Sequence, residues 1–349
     1  MAGQTKTTTT EIAYAFRTHF SKELLERMKP VLVFADHGLR SPLPKNEGAK
    51  TVRMMRFTAP STSDIQTLTE GTVPASSTHK QLALEYLEVT PAQYGQSISI
   101  TDVLDGTSLF DMAKQATLQN AEDAALHCDT IVRNELTKTS GTNGTNDLST
   151  RGVIYANGAA NYAAVYNSGT KSATLILTAT DILDGATTLK VKKAPRINGS
   201  YVMAVGPQGS RDIMAGANSN TLWKDVGVYS NKEQVFNGEV GKLYGVRIVE
   251  HTEPYRSAGT QPTTTPSSQY SASGVVFTYH MFGRNAYGVT DLATLGSPMS
   301  PQVYYVTGAD KSDPLNQIKM IVSFKTYFAA VALQPQWYVQ LYSQSGSAA

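Results

Sequence analysis

Chemistry in this chain would have to come from a few places. The densest grouping of suitable side chains is Glu250-His251-Thr252-Glu253, a histidine flanked by carboxylates. Such a set could hold a divalent metal or act as a general base. Its spacing argues against both, because neighbouring residues at a strand end point in different directions and do not converge on one ion. The six histidines (His19, His37, His79, His127, His251, His280) include no pair at helix-face metal spacing, and His127 reads as structural within a long helix. Cys128 is the single cysteine, so neither an intrachain disulfide nor a cysteine-based zinc site is possible. It falls on the apolar face of that helix, as a small buried core residue would, and a lone thiol suits a reducing compartment.

Phosphate-binding and nucleophile motifs are missing. There is no G-x-x-x-x-G-K-[ST] loop, no G-x-G-x-x-G and no G-x-S-x-G elbow. Asp102 and Asp105 flank a turn and are read as turn and cap residues. Lys190, Lys192, Lys193 and Arg196 form the densest basic run. They close a predicted helix, where cations complement the dipole, and a nucleic-acid contact is the alternative. Missing motifs do not exclude an enzyme, but the residues nominate no catalytic, cofactor-binding or metal-ligating side chain.

Composition points the same way. The chain has 349 residues, a net charge of +2 and only 17% charged residues, against about a quarter in an average domain. With 18 tyrosines, that favours a surface covered by protein as well as a tyrosine-rich β fold. A charge this small does not mark a dedicated nucleic-acid binder. The first ten residues lack the apolar core of a signal peptide, and no apolar run reaches the length of a membrane span, so a soluble cytosolic product is expected.

The elements around these residues follow from periodicity. Residues 11–29 form an amphipathic helix with Ile12, Phe16, Phe20, Leu24 and Met28 in one stripe, stopped by Pro30. A turn-rich loop follows at 38–48. Two alternating segments, 49–57 and 80–95, make a long ribbon with mixed faces around the tip Leu68-Thr-Glu-Gly-Thr-Val-Pro74, and its second arm runs on to Thr101. Residues 108–138 form the strongest helix, with a capping box of Ser108 and Asp111 and a length of about 46 Å. Its apolar face is Leu118, Ala121, Ala125, Cys128 and Val132, and Asp129 and Arg133 are spaced for a surface ion pair. Beyond it come a weak β region at 152–178, a helix at 179–193, strands at 200–205, 246–250, 274–279, 318–332 and 337–342, and a helix opened by Pro207. Residues 257–273 form an exposed Ser/Thr/Pro/Gly/Gln loop.

Several segments carry a resemblance in order. They are Leu68-Thr-Glu-Gly-Thr-Val-Pro74, Tyr94-Gly95 leading into Ile100-Thr-Asp-Val-Leu104, Gly199-Ser-Tyr-Val-Met-Ala-Val-Gly-Pro207 and Gly238-Glu-Val-Gly-Lys-Leu-Tyr-Gly-Val-Arg-Ile-Val-Glu250. Phe282-Gly-Arg-Asn-Ala-Tyr287, Asp313-Pro-Leu-Asn316 and Lys325-Thr-Tyr-Phe-Ala-Ala330 complete the series. Across about residues 10 to 335 the chain resembles the major capsid proteins of tailed bacteriophages, in the family typified by the coat protein of phage N4. The resemblance implies an α+β HK97-type capsid fold. Its parts would be an N-terminal arm (1–47), an extended hairpin or E-loop (48–80), a peripheral domain (81–177 and 303–349) with spine helix 108–138, and an axial α/β domain (178–302).

The implied function is self-assembly into hexamers and pentamers of an icosahedral head enclosing double-stranded DNA, which is contacted without sequence preference. Head-to-tail contacts close such rings, and obligate interfaces of this kind exceed roughly 2,000 Å². The expected contact residues are Ile12, Phe16, Phe20, Leu24 and Met28 on the arm and Leu68, Glu70 and Gly71 on the ribbon tip. Expected partners are a separate scaffolding protein, since no scaffolding segment precedes the arm, together with a portal and cement proteins. The resemblance further implies a structural protein that is not an enzyme and carries no cofactor, and no membrane is expected. The location would be the virion head, assembled in the host bacterial cytoplasm. The alternatives are an encapsulin-like cellular nanocompartment shell, and an α/β enzyme with a regulatory ribbon.

Overall fold

The computed structural model describes residues 33–43, 50–57, 65, 67, 70–71, 84–108, 111–139, 142–143, 146–215, 239–257, 259, 261, 275–291, 302–307 and 317–346. The expected helix at 11–29 lies outside the described residues, as does most of the ribbon tip.

The architecture is α+β and turns on one long strand, Ile318–Ala332. Its run of β-branched and aromatic residues favours extended backbone, and its 15 residues span roughly 50 Å. Along one edge it pairs antiparallel with Ala92–Thr101. Two shorter strands share the other edge end to end, Gln302–Thr307 and Tyr287–Asp291, and Leu39–Arg40 adds parallel to the second of these. Val322, Phe324, Thr326 and Phe328 are buried, while the intervening Ser323, Lys325 and Tyr327 are half-buried.

The long helix Met112–Thr137 lies on that buried face. Ala121, Ala124, Ala125, Cys128, Val132 and Leu136 are all buried, at the three- and four-residue spacing that lines one side of a helix. Small side chains at this seam let helix and sheet approach closely. Asn120 Nδ2 then reaches the Val322 carbonyl at 3.1 Å, and the Thr117 hydroxyl meets the Tyr305 hydroxyl at 2.7 Å. The helix is shorter than its expected 108–138 extent, at 26 residues and about 39 Å. The expected capping box does not form. Asp111 is the cap, accepting from Lys114 N at 3.1 Å. Ser108 instead closes a separate short helix, Asp102–Thr107, whose own cap is Thr101. The local turn at 102–107 satisfies its own backbone donors, so Ser108 is spent ending it.

A seven-stranded sheet forms the second layer, in the order Gly152–Tyr155, Tyr338–Ser343, Val276–Phe282, Tyr201–Val205, Val246–Glu250, Glu239–Leu243, with Tyr255–Ser257 also on Val276–Phe282. It draws strands from both segments that were expected to form separate domains. Alternate residues face opposite ways. Tyr201, Met203, Val205, Ile248 and Met281 pack against Ile182, Ala186 and Leu189 of helix Ala179–Val191. Val202, Ala204, Phe282 and Tyr338 belong with the long-helix core. Coverage of both faces explains the unbroken apolar run Tyr201-Val-Met-Ala-Val205. The region expected to be weak β at 152–178 contributes one strand and then short helical turns. Asn161 caps Tyr162–Tyr166 by accepting from Ala164 N, and Asn167 ends it in the left-handed region. Small residues in the segment had masked these caps.

The ribbon is a separate two-stranded unit, Val52–Phe57 antiparallel to Leu84–Val89. Its second arm stops at Val89 instead of running on to Thr101. Pro91 lacks the N–H that would extend the ladder, and Ala92–Thr101 turns into the five-stranded sheet.

Candidate functional site

Two places in the described residues carry uncommon arrangements. One is buried and polar; the other is exposed and apolar.

The buried cluster sits where the long helix crosses the seven-stranded sheet. Asp129 accepts from Phe34 N at 3.0 Å and pairs with His251 Nε2 at 2.5 Å. Both side chains are almost wholly buried. The Phe34 ring packs edge-on against His251 and His280, with centroids at 5.0 and 5.8 Å. The Phe34 carbonyl accepts from the Tyr287 hydroxyl at 2.5 Å. Arg133 Nη1 donates to the Glu253 carbonyl at 2.7 Å and stands over the Tyr255 ring. The expected surface pair of Asp129 and Arg133 is therefore not made. Both residues lie on the buried side of the helix, and each is held by a segment more than a hundred residues away.

His280 completes the cluster. The Thr137 hydroxyl donates to the Arg133 carbonyl at 2.7 Å, so at 3.1 Å it can only accept from His280 Nε2. That places the ring proton on Nε2 and leaves Nδ1 buried with no hydrogen-bond partner among the described residues. Burial pushes the His280 pKa down to about 3, with Arg133, His251 and Arg151 adding to the effect. The ring is neutral at ordinary pH. The Cys128 thiol, buried beside Asp129 and Asp291, is pushed up to about 12 and is no nucleophile. These features suit a joint that fixes helix, sheet and the Phe34 segment together. Among the described residues no group of three or more His, Cys, Asp and Glu could hold a metal ion. His251 finds its carboxylate in Asp129 across the fold, not in the neighbouring Glu250 or Glu253.

The exposed arrangement is the ribbon. Val52, Met54 and Arg56 face one way with Val89, Leu87 and Glu85 opposite them. This inner face is seated: Met54, Leu87 and Val89 are buried against Val331 and Leu333. Arg56 pairs with Glu85 at 2.7 Å and donates to the Leu333 carbonyl at 2.8 Å. Gly288 makes room for it, since a Cβ there would stand 2.6 Å from Met54 Sδ. The other face holds Arg53, Met55, Tyr86, Leu84 and Glu88. Met55 is 66% exposed, Leu84 52% and Tyr86 51%, with Arg53 bonded to Glu88 at 2.6 Å and lying over Tyr86. The mixed faces expected from sequence resolve into one seated and one uncovered apolar face.

The expected contact residues fare unevenly. Glu70 and Gly71 form an exposed turn, with Gly71 at φ +78°, a left-handed conformation that favours glycine. Leu68 and the stripe of Ile12, Phe16, Phe20, Leu24 and Met28 lie outside the described residues. Sequence reasoning did not nominate Met55, Leu84 and Tyr86, although the two-residue alternation around Met54 and Leu87 was the signal that could have found them.

No protein-family model matches the chain, and no curated protein matches it by sequence. Solved structures do match. The capsid of Ralstonia phage GP4 superposes with a TM-score of 0.63 at 12% identity, covering 91% of this chain and 93% of that one. The acid-stable capsid structure of Helicobacter pylori bacteriophage KHP30 gives 0.61 at 12% identity, covering 89% of each chain. The capsid structure of cyanophage P-SCSP1u gives 0.58 at 18% identity, over 90% and 89%. The chain has the HK97-type fold of these phage capsid subunits.

Proposed function

We propose that the chain is the major capsid protein of a tailed bacteriophage, a structural subunit that builds the head shell. The observation that carries this reading is the match to phage capsid subunits along about nine-tenths of both chains. The exposed ribbon face supports it, because Met55, Leu84 and Tyr86 leave apolar surface on a two-stranded unit that the described residues cover on one side only. In this reading the parts are the arm (1–47), E-loop (48–80), peripheral domain (81–177 and 303–349) and axial domain (178–302). Subunits join as hexamers and pentamers through the ribbon and the stripe on the arm, and the shell confines double-stranded DNA. A scaffolding protein, a portal and cement proteins complete the assembly, and the place of the protein is the virion head after assembly in the host cytoplasm. Kinship with the coat protein of phage N4 is part of the same proposal.

Sedimentation of wild type and of a Met55→Asp, Tyr86→Asp variant, each produced together with the scaffolding protein, tests it. Burying each of these side chains on a neighbour contributes about 1.5–3 kcal/mol, repeated at every copy. Wild type should sediment as large closed particles, and the variant as free subunits with unchanged urea unfolding. A wild type that stays a small oligomer would refute the shell reading. Variant particles equal to wild type would remove the ribbon from the interface.

A further inference from the structure

The basic run at the end of helix Ala179–Val191 gains a second element in the fold. The turn after the helix and the turn after strand Val276–Phe282 are clipped together: Arg284 N donates to the Pro195 carbonyl at 2.9 Å. Gly283 permits the approach, since a Cβ there would lie 2.5 Å from that carbonyl. The clip brings Arg284 beside the run of Lys190, Lys192, Lys193 and Arg196. Lys190, Lys193, Arg196 and Arg284 are exposed. Lys192 is half-buried and donates to the Thr150 carbonyl at 2.7 Å, while Arg196 lies over the Tyr201 ring. Residues 185–200 and 283–290 contain no Asp or Glu. Among the described residues none of the five cations is ion-paired with a carboxylate. The whole chain carries only +2, so its remainder is net negative and the positive charge is gathered here.

The helix dipole does not account for this gathering. It rationalises Lys190 and Lys192 at the helix end, but Arg196 lies beyond the helix and Arg284 comes from the turn after a separate strand. Lys193 is the telling residue. It follows the helix in the left-handed region, φ 55°, with Ala194 N bonded to the Leu189 carbonyl and Lys193 N to the Lys190 carbonyl. Glycine is the relaxed choice at such a helix end. A lysine keeps a charge there at the expense of backbone strain. Val191, the last residue of the helix, is the only large apolar side chain exposed among residues 190–196 and 283–286, which is little for a protein partner to anchor on. Exposed cations spread over two adjoining turns suit a repeating anionic backbone, which they position against without reading sequence.

We propose that the clipped turns at 190–196 and 283–286 form a contact surface for the phosphodiester backbone of duplex DNA. The choice of duplex DNA as the polyanion rests on the shell reading above. The test measures binding of the purified full chain to a short labelled DNA duplex, and separately to labelled polyglutamate, across a salt series. Lys193→Gly should keep or raise the melting temperature and still lower the DNA affinity several-fold. A Lys190→Gln, Arg196→Gln, Arg284→Gln variant should bind about tenfold more weakly or worse, with the slope of log K against log salt reduced by about 0.9 for each phosphate no longer neutralised. The matching Lys190→Arg, Arg284→Lys variant should bind as wild type. Unchanged affinity and slope in both neutralised variants would overturn the proposal. So would wild-type binding to polyglutamate that is tighter than to DNA and abolished in the same variants, which would assign the surface to an acidic protein segment. Particle formation, followed by sedimentation of the same variants produced together with the scaffolding protein, keeps the two readings separate. Normal particles with unaltered DNA affinity refute only the contact surface. A failure of wild type to form particles refutes the shell reading instead.

Discussion

Asp129→Ala should be among the most damaging single changes in the long helix. Its carboxylate is 3% exposed and serves two groups that have no solvent to turn to, Phe34 N at 3.0 Å and His251 Nε2 at 2.5 Å. Removing it leaves two buried donors unsatisfied, at about 1–3 kcal/mol each. Together they cost about 2–6 kcal/mol, a large share of the ~5–15 kcal/mol that holds a typical domain folded. An exposed helix pair with Arg133, as the spacing alone suggests, would contribute only about 0.3–0.5 kcal/mol. The two readings thus differ roughly tenfold. Urea unfolding near neutral pH, followed by tryptophan fluorescence, resolves that difference in the midpoint. A double-mutant cycle with His251→Ala should return a coupling above about 1 kcal/mol. Asp129→Asn, which keeps an acceptor for Phe34 N, should cost less than Asp129→Ala. A loss under about 0.5 kcal/mol for Asp129→Ala, with no coupling to His251, would refute the buried joint.

Two further outcomes follow from the same packing. Gly288→Val should unseat the ribbon, because even a Cβ would stand 2.6 Å from Met54 Sδ and 3.2 Å from Leu333 Cδ1. A destabilisation of about 1–3 kcal/mol and faster proteolysis at the ribbon are expected, and a variant as stable and resistant as wild type would contradict the seating. For His280 the folded pKa of about 3 lies below the ordinary 6.5. Between those values the unfolded chain holds a proton that the folded chain lacks, so stability rises with pH across that window and is lost as pH falls through it. The slope attributable to this ring is at most about 1.4 kcal/mol per pH unit, and His280→Gln should flatten it. Equal pH slopes in the two proteins would show that the ring does not remain neutral on burial.

Local pattern made much of the fold legible in the sequence. Strands 246–250 and 318–332 have the expected bounds because β-branched and aromatic residues fill them and turn residues end them. Cys128, Ala121, Ala125 and Val132 are buried as their helical spacing required. What stayed hidden depends on distance along the chain or on choices among equivalent caps. Ser108 and Asp111 are both good caps, and only the competing turn at 102–107 decides between them. Asp129 meets His251 from 122 residues away, and no local rule connects them. At the ribbon, Pro91 did signal the end of the second arm, but the clear alternation at 97–101 suggested continuity. The uncovered face became visible once the register paired Met55 with Tyr86 and Met54 with Leu87.

Negative-stain microscopy of the chain purified after production together with its scaffolding protein tests the shell reading most directly. Closed particles of uniform diameter with icosahedral outlines are the predicted result, with ribbon density lying on the adjacent subunit when such particles are reconstructed. A preparation that remains monomeric or forms only small discrete oligomers at high protein concentration would contradict it.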